Sequence, residues 1–296
     1  MMTRRNPAKE ALHVGRYATL EDFFSEHCVK TQFYTIDAAK RTTIVGEGGT
    51  RLVFSPFSLA TQLDQPVEGE VEIFLEEIFH KRDMLLCNCM ATSENRLLEC
   101  GGYILLEAYQ NGERLALKTP IEVEMPVQSS LFNPLAVKLF KETHSTMVPF
   151  SREKILDWQE DKDQLVSIKK AGNKKFFQFT IPNFNRIGCY YFYSQKKVQG
   201  AMLSARCLPP TQEWDDQAAF LVFKNINAVA RMYQNGTRFT AINIPFNLSA
   251  TIVFIGLQQG EMYLCTHSIE ETHSQLITLQ AERMHKDQLL NVLLNL

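Results

Sequence analysis

Apolar and polar positions alternate along much of the chain after Phe33. Val71, Ile73 and Leu75 interleave with Glu72 and Phe74, and Ile121, Val123 and Met125 interleave with two glutamates. A period of two predicts antiparallel strands with one face on a core. The same reading covers FYTIDA, TTIVGEGGTRLVFSP, MLLCNCMA, RLLECGGYILLEAY and ERLALKTP. Asn111-Gly112, between two such runs, predicts a two-residue hairpin, because both turn positions need positive φ. Gly48-Gly49 and Gly101-Gly102 predict bends or bulges inside strands. Residues 33–126 therefore read as one antiparallel β-domain ended by Pro126.

Residues 127–180 read as a connecting segment. FNPLAVKLFKETH fits a short helix or a strand, Ser151 is placed to cap a turn, and Trp158 suits an anchor at a domain junction. The β pattern resumes at FFQFTIPNF and continues through CYYFYS, AMLSARCL, AAFLVFKNI, RFTAINIP, SATIVFIGL and EMYLCTHSIEE. Short strands at this spacing predict a second, Ig-like sandwich over residues 181–296. Two helices frame the strands. Within residues 1–32, Thr19 and Asp22 form a capping box ahead of a Leu20, Phe23, Phe24, Cys28 stripe. At the other end, Met284, Leu289, Leu290, Leu293 and Leu296 form the apolar side of an amphipathic helix. The expected fold is mainly β: two antiparallel β-sandwich domains with a short N-terminal helix and a C-terminal helix.

Composition narrows the functional classes. With 45% hydrophobic and 22% charged residues and a net charge of −2, the chain is an ordinary globular one without the basic field that nucleic acid requires. The pairs Lys169-Lys170, Lys174-Lys175 and Lys196-Lys197 read as solvated turns. No apolar run is long enough to span a bilayer, and the start carries no signal-peptide core. A cytoplasmic location fits, or an envelope location for a mature or trimmed chain.

Three of the seven cysteines lie in LLCNCMATSENRLLECGG. On a strand Cys87 and Cys89 would share a face about 7 Å apart, too far for a bridge. A two-residue turn at Glu94-Asn95 would set Cys89 opposite Cys100, close enough for a disulfide in an oxidising compartment. A slip of one residue would put them on opposite faces. The spacing does not suit zinc, and thiols filling a sandwich interior are the favoured reading.

Other chemistry has no local motif: no phosphate loop, no dinucleotide fingerprint, no zinc-protease helix and no nucleophile elbow. Cys265 and His267 share a strand face but lack a third orienting group. Adjacent pairs Glu76-Glu77 and Asp215-Asp216 point to opposite faces, which suits no acid–base couple. No cofactor or metal is expected.

Gly49 to Pro56, Glu99 to Gly102 and Lys118 to Pro126 together form a pattern that resembles the ZU-five β-sandwich of ankyrins and Unc-type netrin receptors, and more closely bacterial proteins of the Bacteroidetes type. The resemblance covers roughly the middle third of the chain. It implies a β-sandwich interaction module. Some relatives cut themselves at a His-Phe-Ser turn, which is absent here: His80 precedes Lys81, and His144 precedes Ser145 directly. The expected function is a non-enzymatic β-sandwich protein that binds a protein partner or serves as an envelope or scaffold component. The competing expectation is an enzyme whose site is assembled from distant loops.

Overall fold

A computed structural model describes residues 17–128, 133–145, 155–193, 200–208 and 213–296. Ser151 and the Lys196-Lys197 pair lie outside the described residues. Three α-helices are present among those described: α1 (Leu20–His27), α2 (Lys81–Leu86) and α3 (Lys286–Leu294). The first strands are β1 (Gln32–Asp37), β2 (Thr42–Val45), β3 (Arg51–Phe54), β4 (Leu59–Ala60), β5 (Glu70–Ile78), β6 (Thr92–Ser93), β7 (Arg96–Gln110), β8 (Glu113–Arg114), β9 (Ala116–Leu117) and β10 (Ile121–Pro126). They are followed by β11 (Lys138–Ser145), β12 (Ile155–Glu160), β13 (Ser167–Ala171), β14 (Lys174–Ile181) and β15 (Arg186–Phe192). The last are β16 (Ala201–Leu208), β17 (Asp216–Phe223), β18 (Val229–Asn235), β19 (Arg238–Ile244), β20 (Ala250–Gln258), β21 (Glu261–Ile269), β22 (Gln275–Gln280) and β23 (Glu282–Arg283).

The fold is mainly β, as expected, with helices at both ends of the described chain. The first sheet runs β1-β5-β7-β15-β11-β12, with β6 and β8 attached to β7. A five-stranded sheet, β13-β14-β10-β3-β2, shares a core with it, in which Leu52, Ile73, Leu106, Val123 and Phe177 are buried. The C-terminal strands form one eight-stranded sheet, β22-β16-β19-β18-β17-β20-β21-β23, that curls nearly closed. It is antiparallel except where β16 pairs with β22 in parallel.

Local chemistry explains several elements. Thr19 and Asp22 close the capping box on α1, and Leu20, Phe23 and Phe24 are its buried stripe. Asn111 and Gly112 take φ of 53° and 80° in the β7–β8 turn. Glu94 and Asn95 do the same between β6 and β7, at 49° and 59°. Gly101 is the extra residue of a bulge, because Cys189 pairs with Gly102 while Tyr190 pairs with Cys100.

The Gly-rich stretch between β2 and β3 wraps a carboxylate. Glu77, only 8% exposed, accepts hydrogen bonds from the backbone N–H of Gly48 (2.7 Å) and Thr50 (2.9 Å) and from Gln32 Nε2 (3.0 Å). A Cβ on Gly46 would lie 2.2 Å from Glu77 Oε2, so the close approach itself requires glycine there.

Tertiary context overrides the sequence pattern in three places. The run MLLCNCMA, expected as a strand, instead supplies the end of α2 and the turn after it. A short apolar run fits either element by periodicity; here Met84, Leu85 and Leu86 are buried in one core with Phe23 and Phe24 of α1. Residues 127–180, expected as a connector, carry β11 and β12 of the first sheet and β13 and β14 of the facing one. Strand β15, expected to open the second sandwich, lies between β7 and β11 in the first sheet.

The first sheet is the middle layer. One face meets the five-stranded sheet. On the opposite face, Tyr103, Phe140, Trp158 and Tyr190 join a core with all three helices and with Phe220 and Val229 of the C-terminal sheet. Covered on both sides, β7 is buried without interruption from Leu97 to Ile104, which erases its alternation.

Candidate docking face and a sealed thiol cluster

Cys89, Cys100 and Trp158 meet in the core on that covered face. Trp158 packs at a tilt against Tyr190 (ring centroids 4.8 Å apart) and Tyr103 (5.3 Å), and its indole N–H donates to the Met90 carbonyl at 2.8 Å. The Tyr103 hydroxyl faces the Cys89 thiol and the Tyr190 hydroxyl faces Cys100, whose sulfur also accepts from Gly102 N–H at 3.3 Å. Trp158 reaches the C-terminal sheet through the chain it holds, since Ala91, next to Met90, donates its N–H to Val229 O at 2.9 Å.

The Cys89–Cys100 bridge that the Glu94-Asn95 turn would allow does not form; both are free thiols buried in the core, the arrangement the sequence favoured. The register arithmetic holds where the ladder exists, with Ser93 opposite Arg96 and Thr92 opposite Leu97. The ladder stops at Ala91, which accepts from Leu98 N–H at 2.8 Å. Beyond it, Ala91 and Cys100 give their N–H groups to Val229 and Asn227 of the C-terminal half, and Asn88 turns the chain away with φ of 50°. The disulfide joins Cys28 to Cys87 instead, with Cα atoms 4.4 Å apart. Cys28 ends α1 and Cys87 ends α2, so the bridge follows from how the two helices pack. Nothing in the local sequence marks that pair.

The cluster is chemically quiet. Burial pushes the Cys89 thiol up and takes Cys100 to about 12, so at neutral pH both are protonated and poor nucleophiles. Cys189, fully buried on the other side of the first sheet, is held well above the usual thiol value by the same desolvation. Cys265 on β21 is also raised by burial, and the neighbouring His267 on the same strand face is exposed. Among the described residues no three His, Cys, Asp or Glu side chains converge to hold a metal ion. No helix among them is long and apolar enough to cross a membrane.

Further along the same face of the first sheet the cover ends. Directly paired residues share a face in an antiparallel ladder, so the register gives the layout row by row. Trp158, Glu142, Arg186, Leu105 and Glu76 share one side; Arg186 lies 3.8 Å from Glu142, and Thr31 donates to Glu76 at 2.7 Å. Next comes Phe33 opposite Phe74 opposite Glu107, then Thr35, Glu72, Tyr109 and Arg114. Phe33 packs edge-on against Phe74 at 4.9 Å, and Phe74 against Tyr109 at 5.1 Å. This aromatic ladder is open to solvent: Phe33 is 70% exposed on β1, the terminal strand of its sheet. Glu72 is exposed beside it, and Glu107 bonds Arg114 at 2.9 Å. Periodicity in VEIFL places Phe74 outward with the glutamates, a signal that the ladder was present in the sequence, but its neighbours were not identifiable without the register.

No protein-family model and no curated protein matches the chain.

Proposed function

We propose that the protein is a non-enzymatic β-sandwich module that binds a protein partner through the open end of its first sheet. The observation that carries this reading is the exposed Phe33–Phe74–Tyr109 ladder on a terminal strand, flanked by Glu72, Glu76 and Glu107. A large apolar side chain exposed on a sheet edge invites pairing with another chain. Aromatic rings with a carboxylate surround favour an extended segment carrying lysine or arginine, through cation–π and ion-pair contacts. A ZU-five-like module over residues 33–126 belongs to the same reading; what supports it is that these strands divide between two facing sheets. The sealed, protonated thiols speak for a structural use of the cysteine cluster.

The test is a photo-crosslinking side chain placed at Phe33 in cells that make the protein. A discrete heterologous adduct is expected, lost in Glu72→Lys, a surface change that leaves the melting temperature alone. Absence of any heterologous adduct, or an adduct indifferent to Glu72→Lys, overturns the reading.

A further inference from the structure

A recess of about 330 Å³ opens where α2, the β17–β18 turn and the end of α3 come together. Its walls carry His80, Lys81, Arg82 and Lys224, with no aspartate or glutamate among the lining residues. Ile226, Leu294 and Leu296 supply apolar surface, and Asn225 and Asn227 supply amides. The volume falls at the lower end of the range for small-molecule sites.

The cations are placed by the fold. Lys81 reaches across from the start of α2 and donates to the carbonyls of Phe223 (2.7 Å) and Lys224 (3.2 Å). Both acceptors are neutral, and no carboxylate pairs with Lys81 among the described residues. Half burial holds its ammonium below the usual lysine value, so the charge there is desolvated and uncompensated. Lys224 pairs with Glu270, at 3.0 Å, in a solvent-exposed pair that binding can exchange at little cost. Asn227 is rigidly held, because its amide donates to Phe79 O (2.8 Å) and Cys100 O (2.7 Å), which locks the turn that forms the floor.

We propose that this recess binds a small organic acid, with its carboxylate against Lys81 and Lys224 and its apolar arm on Ile226 and Leu294. A carboxylate gives Lys81 the counter-charge the fold withholds, and the arm removes apolar surface from water. A bare inorganic anion would leave the apolar wall unused. A neutral analogue would leave the ammonium unpaired.

The probes are hexanoate, hexanamide and inorganic phosphate, each titrated into the full chain and followed by calorimetry. Saturable one-site binding of hexanoate is expected, at least tenfold tighter than hexanamide or phosphate. Lys81→Gln and Leu294→Glu should each weaken it at least tenfold, with the melting temperature unchanged. Leu294 is 47% exposed, so its substitution leaves the core alone and decides the matter by itself should Lys81→Gln fail to fold. Equal binding of hexanoate and hexanamide, equal binding of phosphate, no saturable binding, or wild-type affinity in the variants overturns the proposal.

Discussion

Replacing Glu77 by alanine tests how the Gly-rich turn is built. The carboxylate holds two backbone N–H groups, those of Gly48 and Thr50, and Gln32 Nε2. Thr50 is fully buried, so water cannot replace the lost acceptor at that position. A hydrogen bond to a charged group contributes about 1.5–3 kcal/mol and an orphaned buried donor costs about 1–3 kcal/mol. Partial relaxation of the exposed Gly48 side lowers the sum, so the expected loss is about 3–5 kcal/mol. Urea unfolding reads the global effect, and amide exchange reads the local one, with protection at Gly48 and Thr50 falling first. Glu77→Gln keeps one acceptor but turns an NH₂ toward a donor, and should recover less than half. Gly46→Ala, whose Cβ would sit 2.2 Å from Glu77 Oε2, should reproduce the exchange pattern, and the double variant should lose less than the sum. A loss below about 1 kcal/mol, the scale of a single neutral hydrogen bond, with unchanged exchange at Thr50, would refute the reasoning.

Three further outcomes are expected. Chain prepared without reductant, denatured and alkylated, should take up label at the five free cysteines, and reducing the Cys28–Cys87 bond, which closes a sequence separation of 59, should cost roughly 2–4 kcal/mol in urea melts; seven labelled thiols under those conditions refute the pairing. Trp158→Ala removes a buried indole and orphans the Met90 carbonyl, and should lower stability by about 3–5 kcal/mol; an unchanged melting curve shows that the ring is not a packing anchor. Burial raises Cys100 and Cys207 from 9.0 to about 12, so the folded chain retains protons that the unfolded chain releases above pH 9. Their contribution is intact below that value and is lost as pH climbs toward 12; urea midpoints should fall between about pH 8 and about pH 10.5, and Cys100→Ala should shrink the fall. A midpoint that rises over that interval has the wrong sign for this cause.

Short-range chemistry was legible in the sequence. The capping box of α1, the Asn111-Gly112 and Glu94-Asn95 turns and the Gly101 bulge all depend on a few neighbouring residues and their φ preferences, and all are present. The alternation of β5 was readable because it has one face on the core and one toward water, and that of β10 because its polar face carries an exposed Glu122 and a Glu124 paired with Lys169 and Arg51. Where a strand is covered on both sides, as β7 is from Leu97 to Ile104, the pattern that marks a face disappears. Periodicity also could not separate the helical Met84, Leu85 and Leu86 from a strand, since only their packing with α1 decides it.

Partners in space were set by the tertiary structure. That β15 inserts between β7 and β11, that β16 pairs in parallel with β22, and that residues 127–180 complete two sheets are pairings between distant segments, and a strand's own sequence does not name its neighbour. The cysteines show the same division. The turn at Glu94-Asn95 fixes the local register, but Val229 and Asn227 take the N–H groups that a longer hairpin would have used, and Cys89 and Cys100 stay apart while two helix ends bring Cys28 to Cys87. The residue pattern specifies a β-rich chain with a capped helix near one end, an amphipathic helix at the other, and thiols suited to a core. Which face of the first sheet is buried, where its aromatic ladder emerges, and which lysine is left without a counter-charge follow from long-range packing, because burial and desolvation belong to the assembled layers and to no single stretch of residues.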